Sequence, residues 1–527
     1  MVRANIFSKI KKTCLVVMLA AGLSLGVNVG AQAVDFKAKG EWRVAFGLGN
    51  ANLHGGKGMS KNDLFGATQR LRLQLDAVAS ENLSGRVWFE IGYTDWGRNG
   101  NGGSSGGALG ADGVNVKVKN AFIDWIVPET DLQIRMGLQN FTLPNAAGGS
   151  AIFGTGDVAA ITGSYQFTDE VGLTAFWLRP VNDNFEGTWG RNKNRTDAHY
   201  LDNLDLFGLT LPLNFEGIEL VPWLIYGFIG RNALDEYRQG WRTQDGNLGQ
   251  TLFANVGSSA RYFNFRHTKA YSSMFWGGLP VKISAWDPVN FELEFNYGYV
   301  EGFGRDAVKN FKTDHNKQAD SKRAGWLIKA LIEYKLDWGV PGIFGWYASG
   351  DDGDVKNGSE RLPTIKANGK FTSFMGAAGQ DFWPGDSFKG SFCEKSLGYA
   401  GTWGVGAQIR DISFWEDLKH TLRIAYWGGT NDPSMVKYFA TANSWDNTNG
   451  YEGPYLTTND GLIEINIDNA YKIYDNLELA LDLGYIVNLM DRGTWKHSVA
   501  WNGEGVTRGN MSKHDAWKAQ LTFNYTF

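Results

Sequence analysis

The residues with the most reactive side chains in this 527-residue chain are few and do not gather into a catalytic set. Seven histidines are scattered without a His-x-x-x-His pair, which argues against a hydrolytic zinc site, where two ligands project from one helix face. Asp351, Asp352 and Asp354, with Asn357 and Glu360, offer the oxygen ligands that calcium takes, but their spacing departs from the twelve-residue calcium loop. They form a weak calcium candidate. The glycine-rich stretch 97–113 lacks the Lys-Ser/Thr that ends a phosphate-binding loop and reads as a flexible connection. Cys393 has no supporting histidine constellation and reads as an unpaired thiol. No catalytic residue, cofactor or enzymatic activity is expected.

What remains is charge, and the charges sit in a pattern that specifies the elements carrying them. A strand with lipid on one side and water on the other alternates apolar and polar residues. From Phe36 the even positions read Phe36, Ala38, Gly40, Trp42, Val44, Phe46 and Leu48, while Lys37, Lys39, Glu41, Arg43 and Ala45 fall between them. Leu71, Leu73 and Leu75 interleave with Arg70, Arg72, Gln74 and Asp76. The same grammar runs through 86–93, 132–139, 289–299 and 477–485, and ends in Trp517, Ala519, Leu521, Phe523, Tyr525 and Phe527 around Lys518, Gln520, Thr522, Asn524 and Thr526. These runs reach ten to fourteen residues, where strands of soluble sheets usually have about five or six. Tilted membrane strands need about 9–11.

Rings stand at the ends of the apolar faces, at Phe36, Phe46, Trp125, Trp177, Trp338, Trp427, Tyr471, Tyr485, Trp517 and Phe527. That placement predicts aromatic girdles at two membrane interfaces. Short turns near 80–82, 128–131, 168–170, 214–217, 287–288, 337–339, 411–417 and 475–476 alternate with long polar loops, notably 50–66, 95–113, 181–199, 350–396 and 430–460. Eight turns and nine loops predict an all-β, antiparallel transmembrane barrel of about 18 strands over 34–527, with 16 as the alternative because 171–179 and 219–228 alternate poorly. Short turns would face the periplasm and long loops the outside.

Ahead of the barrel, Arg3, Lys9, Lys11 and Lys12 precede an apolar run from Cys14 to Leu25 and the small residues Ala31-Gln32-Ala33. This is a secretory leader expected over 1–33, too short in its apolar run to span a bilayer. Its removal shifts the formal charge from −4 to about −8, which gives no reason to expect a nucleic acid partner. No internal disulfide is then possible, since Cys14 departs with the leader.

The leader, the alternating strands, the turn-loop rhythm and the terminal Leu521-Thr522-Phe523-Asn524-Tyr525-Thr526-Phe527 resemble Gram-negative outer-membrane porins, especially the homotrimeric porins of sulfate-reducing bacteria. The resemblance covers the whole mature chain. It implies residence in the cell outer membrane among lipid and lipopolysaccharide, a homotrimer, passive passage of small hydrophilic solutes and ions, and a last strand whose Tyr525 and Phe527 are read by the barrel-assembly machinery. A sugar-selective channel is the alternative, with Trp88, Phe141, Phe176 and Trp427 as an inward aromatic track; a barrel enzyme or adhesin is a more distant one. The resemblance also implies that the loop after the fifth strand, 143–158, folds inward as a constriction, with Ala147, Gly148, Gly149, Ser150 and Phe153 in it. By the alternation, Arg43, Arg70, Arg72, Arg86, Lys117 and Arg135 face the lumen as a basic wall, opposed by Glu292, Glu294, Glu464, Asp468, Glu478 and Asp482. Opposite charges across such a gap orient dipolar solutes.

Overall fold

The computed structural model describes residues 34–50, 54–55, 64–97, 116–182, 203–230, 233, 248–254, 269–310, 313, 315–375, 399–438, 455–495 and 512–527. The expected leader, most of the glycine-rich stretch 97–113, and Cys393 lie outside these residues. Eighteen antiparallel strands close into one barrel. They are β1 (Asp35–Asn50), β2 (Leu64–Ser80), β3 (Leu83–Asp95), β4 (Val116–Ile126), β5 (Gln133–Phe141), β6 (Gly156–Gln166), β7 (Gly172–Asn182), β8 (Asn203–Thr210, continued by Leu213–Phe215) and β9 (Ile218–Leu220, continued by Trp223–Gly230). The second half comprises β10 (Tyr271–Ile283), β11 (Val289–Val300), β12 (Arg323–Tyr334), β13 (Val340–Ala348), β14 (Thr402–Trp415), β15 (Leu418–Gly429), β16 (Gly461–Tyr474), β17 (Leu477–Asn488) and β18 (Ala516–Thr526). Pro212 and Pro222 interrupt β8 and β9 because proline has no N–H for the ladder, yet the Leu211 N–H still donates to the Pro222 carbonyl (2.9 Å).

The barrel closes where β1 meets β18, with Trp42 opposite Tyr525 and Leu48 opposite Ala519. Closure leaves no sheet edge unpaired, which hydrocarbon requires. The chain end is tied in as well: Phe527 and Gly40 exchange backbone hydrogen bonds at 2.7 and 3.1 Å, and the Phe527 ring lies over Gly40 where any side chain would collide with it. Exposed rings form two belts on the outer surface. Phe36, Trp125, Phe167, Phe215, Trp286, Trp338, Phe414, Trp415 and Tyr474 mark the short-turn end. Tyr297 opposite Trp326, and Tyr347 opposite Trp403, continue one another across β11 to β14 toward the other end, with Trp326 stacked diagonally on Tyr347. One expected girdle residue moves: Trp427 points inward and is fully buried, because the alternation of β15 places Leu422 and Ile424 on the outside instead.

All eight expected turns join consecutive strands, although the turn expected over 411–417 is narrower. β14 continues to Trp415 through a bulged register at Ile412, and only Glu416 and Asp417 turn. The weakly alternating segments are true strands. Their inward side chains are themselves apolar, with Phe176, Leu178, Trp223, Ile225 and Ile229 buried, so both faces are hydrophobic and the period fades. With Leu204, Leu206, Met274, Trp276, Phe344, Trp346 and Trp427, they form an apolar core inside the barrel against which interior loops pack.

Candidate permeation site

Two surfaces face each other inside the barrel. The first is a ladder of ion pairs on β1, β2, β3, β4 and β5. The Glu41 carboxylate accepts from the Arg43 and Arg70 guanidinia, both at 2.9 Å. Both Arg72 Nε and Nη2 donate to Glu90 at 3.0 Å. Arg86 donates to Asp76 (2.6 and 3.3 Å) and Arg135 to Asp124 (2.6 and 2.9 Å), and the two arginines share the Phe122 ring, with guanidinium carbons 5.5 and 4.4 Å from its centroid. Strand register creates these pairs: Asp76 lies opposite Arg86, Arg72 opposite Glu90, and Asp124 opposite Arg135.

Arg43, Arg70, Arg72, Arg86 and Arg135 lie together on this wall, where four carboxylates pair with them and offset most of their charge. Arg70 is largely buried, while Arg86 and Arg135 are a third exposed. Lys117 lies opposite Glu90 and is exposed, and its neighbour Lys119, beside a β-bulge, is the lysine that pairs with Asp157 (2.6 Å), 5.0 Å from the Trp88 ring centroid.

The second surface is a partition built from loops. Residues 142–155, between β5 and β6, fold into the barrel, and Ala146, Ala147, Ser150, Ala151, Ile152 and Phe153 are buried. Gly148 and Gly149 there are half-buried. A second inward segment was not foreseen: residues 351–375, read from the sequence as an external loop, enter the barrel and hydrogen-bond along the first, with a single parallel bridge between Phe153 and Lys366. The N–H groups of Lys366, Asn368 and Lys370 donate to the carbonyls of Ile152 (2.9 Å), Ser150 (2.8 Å) and Gly148 (2.7 Å), and Gly154 N–H donates to the Lys366 carbonyl (2.7 Å). Phe371 stacks on Phe344 at 4.7 Å, and Tyr399 hydroxyl donates to the Gly148 carbonyl (3.1 Å).

This partition changes the reading of the acidic residues. Glu294 and Glu464 have no exposed surface, and neither faces open water. Glu294 accepts from Ala146 N–H (2.8 Å) and Glu292 from Ala147 N–H (2.6 Å). Glu464 accepts from the amides of Phe374 (2.9 Å) and Met375 (3.2 Å), and Asp468 from Ser373 hydroxyl (2.8 Å) as well as from Arg423. Asp482 is buried and lies opposite Gln520, and Glu478 is half-buried opposite Asn524. At least four of the six acids are thus fastening points for loops, because a carboxylate pairs well with backbone amides that have no strand partner. Lys329 and Lys518, on the same wall, donate to loop carbonyls and were missed from the sequence. So was Arg410, which pairs with Glu333 (2.6 and 2.9 Å).

Of the expected aromatic track, Phe141, Phe176 and Trp427 are inward but buried, and Trp88 is half-buried among the arginines. The calcium candidate also has internal partners: Asp351 accepts from Ser359 and Tyr455 hydroxyls, Asp352 from Asp354 N–H and Asn357, and Asp354 caps a short 3-10 turn at Lys356 N–H. Among the described residues no group of three or more acidic, histidine or cysteine side chains is arranged to hold a metal.

No family model and no curated protein matches the chain. Among solved structures it is similar to OpdQ of Pseudomonas aeruginosa, with 13% identity, TM-score 0.45, and coverage of 94% of this chain and 98% of that one. It is also similar to a BenF-like porin from Pseudomonas fluorescens Pf-5 (10%, TM-score 0.47, 94% and 100%) and to OccAB2 of Acinetobacter baumannii (12%, 0.46, 94% and 98%). The residue chemistry described above is that of this chain alone.

Proposed function

We propose that this protein is an outer-membrane channel of a Gram-negative envelope that passes small hydrophilic solutes and ions down their gradients, without a cofactor, energy input or a catalytic step. The observation that supports it is the combination of a closed barrel, apolar and ring-belted outside, with a charged, part-exposed wall inside. An apolar exterior of this extent belongs in lipid, and an 18-strand circumference leaves room for water unless it is filled. Here part of it is filled. The partition and the apolar core occupy one side of the lumen, and the exposed ion-pair ladder defines the other, so the solute route runs along β1 to β5.

That filling favours a second, narrower reading: a substrate-selective passage. A narrow route beside alternating cations and carboxylates suits dipolar solutes, whose two ends find both signs at hydrogen-bonding distance. A homotrimer packed wall to wall, contact with lipopolysaccharide, and reading of Tyr525 and Phe527 by the assembly machinery belong to the same proposal. Tyr525 and Phe527 stack at 5.6 Å on the outer surface, where another protein can reach them.

Single-channel recording of the purified protein in a planar bilayer tests this reading. Large ohmic steps in threes, indifferent to added sugars or amino acids, identify a trimeric general channel. Small steps blocked saturably by one solute class identify the selective one. A folded barrel that never conducts overturns both.

A further inference from the structure

We propose that Lys329, working with Glu292 and Glu294, is the fastening that sets the width of the passage, by holding the inward loop 142–155 against β11 and β12. This rests on the channel reading above and names the residues that position its narrowest part. The loop carries no charged side chain of its own: Thr142-Leu143-Pro144-Asn145-Ala146-Ala147-Gly148-Gly149-Ser150-Ala151-Ile152-Phe153-Gly154-Thr155. Its engagement with the charged wall is made by its backbone, at Ala146, Ala147 and Gly149. Three consecutive residues, Ala147, Gly148 and Gly149, adopt positive φ (48°, 83° and 82°). Here the Ala146 and Ala147 amides point at the Glu294 and Glu292 carboxylates. The carbonyls of Ala146 and Gly149 meet the Lys329 ammonium.

The ammonium has three protons and three acceptors around it. It donates to the Ala146 carbonyl (3.1 Å) and the Gly149 carbonyl, and pairs with Glu294 at 3.1 Å. Glu294 and Lys329 lie opposite each other in the β11–β12 register, and neither side chain has any exposed surface. The set is closed to water: the ammonium fills its three acceptors, and Glu294 is completed by the Ala146 N–H (2.8 Å) and the Asn296 side-chain amide (2.6 Å). Because loop 142–155 is hydrogen-bonded to residues 365–370, releasing one frees the edge of the other. An ion pair of this kind could also be a passive element of the core. The two roles differ in outcome, since a passive pair contributes stability and leaves the passage unchanged, whereas a fastening changes its width.

The experiment uses the mature chain with Cys393→Ser and Lys329→Cys, unfolded, alkylated and refolded in detergent. Alkylation with 2-bromoethylamine restores an ammonium on a side chain of nearly the length of lysine, and iodoacetamide gives a neutral adduct of the same cysteine. The expected result is a severalfold larger unitary conductance, and entry of larger solutes, for the free thiol and the neutral adduct, with return to the unmodified level for the aminoethyl adduct. Equal conductance in all three overturns the proposal, while wild-type protein that does not conduct overturns the channel reading instead. Should the cysteine variant not refold, amide exchange of the wild-type protein decides. Exchange at Ala146 and Ala147 as slow as in the strand ladder supports the fastening, and exchange at the rate of open loops overturns it.

Discussion

The lumen wall trades charge within itself, and that decides what each arginine can do. Arg72 is bound on two donors by Glu90, and Arg43 and Arg70 share Glu41. Replacing Arg70 and Arg72 together by glutamine leaves Glu41 and Glu90 in excess, so selectivity should shift toward cations. The reversal potential in a salt gradient reads the shift, and no change in the double variant would remove both residues from the solute route. Outside the strands, Glu360 has its carboxyl pushed up to about 7 from an ordinary 4.5, by burial first and then by the nearby Asp351 and Asp352 carboxylates. Between those two pH values the folded protein holds a proton that an unfolded chain has lost, so docking of this segment weakens as pH rises from 4.5 to 7 and changes no further above that. Protection factors across 351–362, which remove the intrinsic base catalysis of exchange, should fall over that window, and Glu360→Gln should flatten the dependence.

At the level of elements, the two inward segments depend on backbone geometry that few residues allow. Gly149 has φ of 82°, and a side chain there would meet the Asn368 carbonyl at 2.2 Å. Gly149→Val should cost about 1–2 kcal/mol in backbone strain alone, and more from the collision, loosening the partition and raising conductance while the barrel still migrates as folded. Trp427, fully buried and 4.4 Å from the Trp346 ring, anchors the cluster beneath the second segment. Trp427→Ala should cost about 3–5 kcal/mol, seen as a lower midpoint in urea. The strands themselves were legible because lipid on one side and charge on the other impose a period of two, and tight turns even fix partners. The turn at Ser80 to Leu83 pairs Asp76 with Arg86 and Arg72 with Glu90. Where that reason lapses, so does the signal: inward Phe176, Leu178, Trp223 and Ile225 face a core instead of water. The second inward segment did carry a trace, in Leu362, Ile365, Phe371 and Phe374, which an external loop has no use for. Its fastening is invisible in sequence because Glu464 and Asn466 receive the amides of Phe374 and Ser373, and any residue type has an amide.

Taken whole, the molecule is an eighteen-strand cylinder part-filled by loops, and on the channel reading proposed above those loops, not the strand number, set the width of the route. Replacing 359–375 by a glycine-serine linker should leave the eighteen-strand wall standing and multiply the unitary conductance, whereas an unchanged conductance would mean that the constriction lies elsewhere. The partition also joins parts of the chain far apart in sequence. Tyr399 reaches Gly148 across 251 positions, and Lys329 reaches Ala146 across 183. Contacts of such long range form late, since loop closure must be completed before they return any stability. Until β11 through β14 are in place, loop 142–155 has neither its wall nor its companion segment, and the interior stays wide and wet through most of assembly. The wall is laid down first, and the narrowing of its interior is the last property this protein acquires.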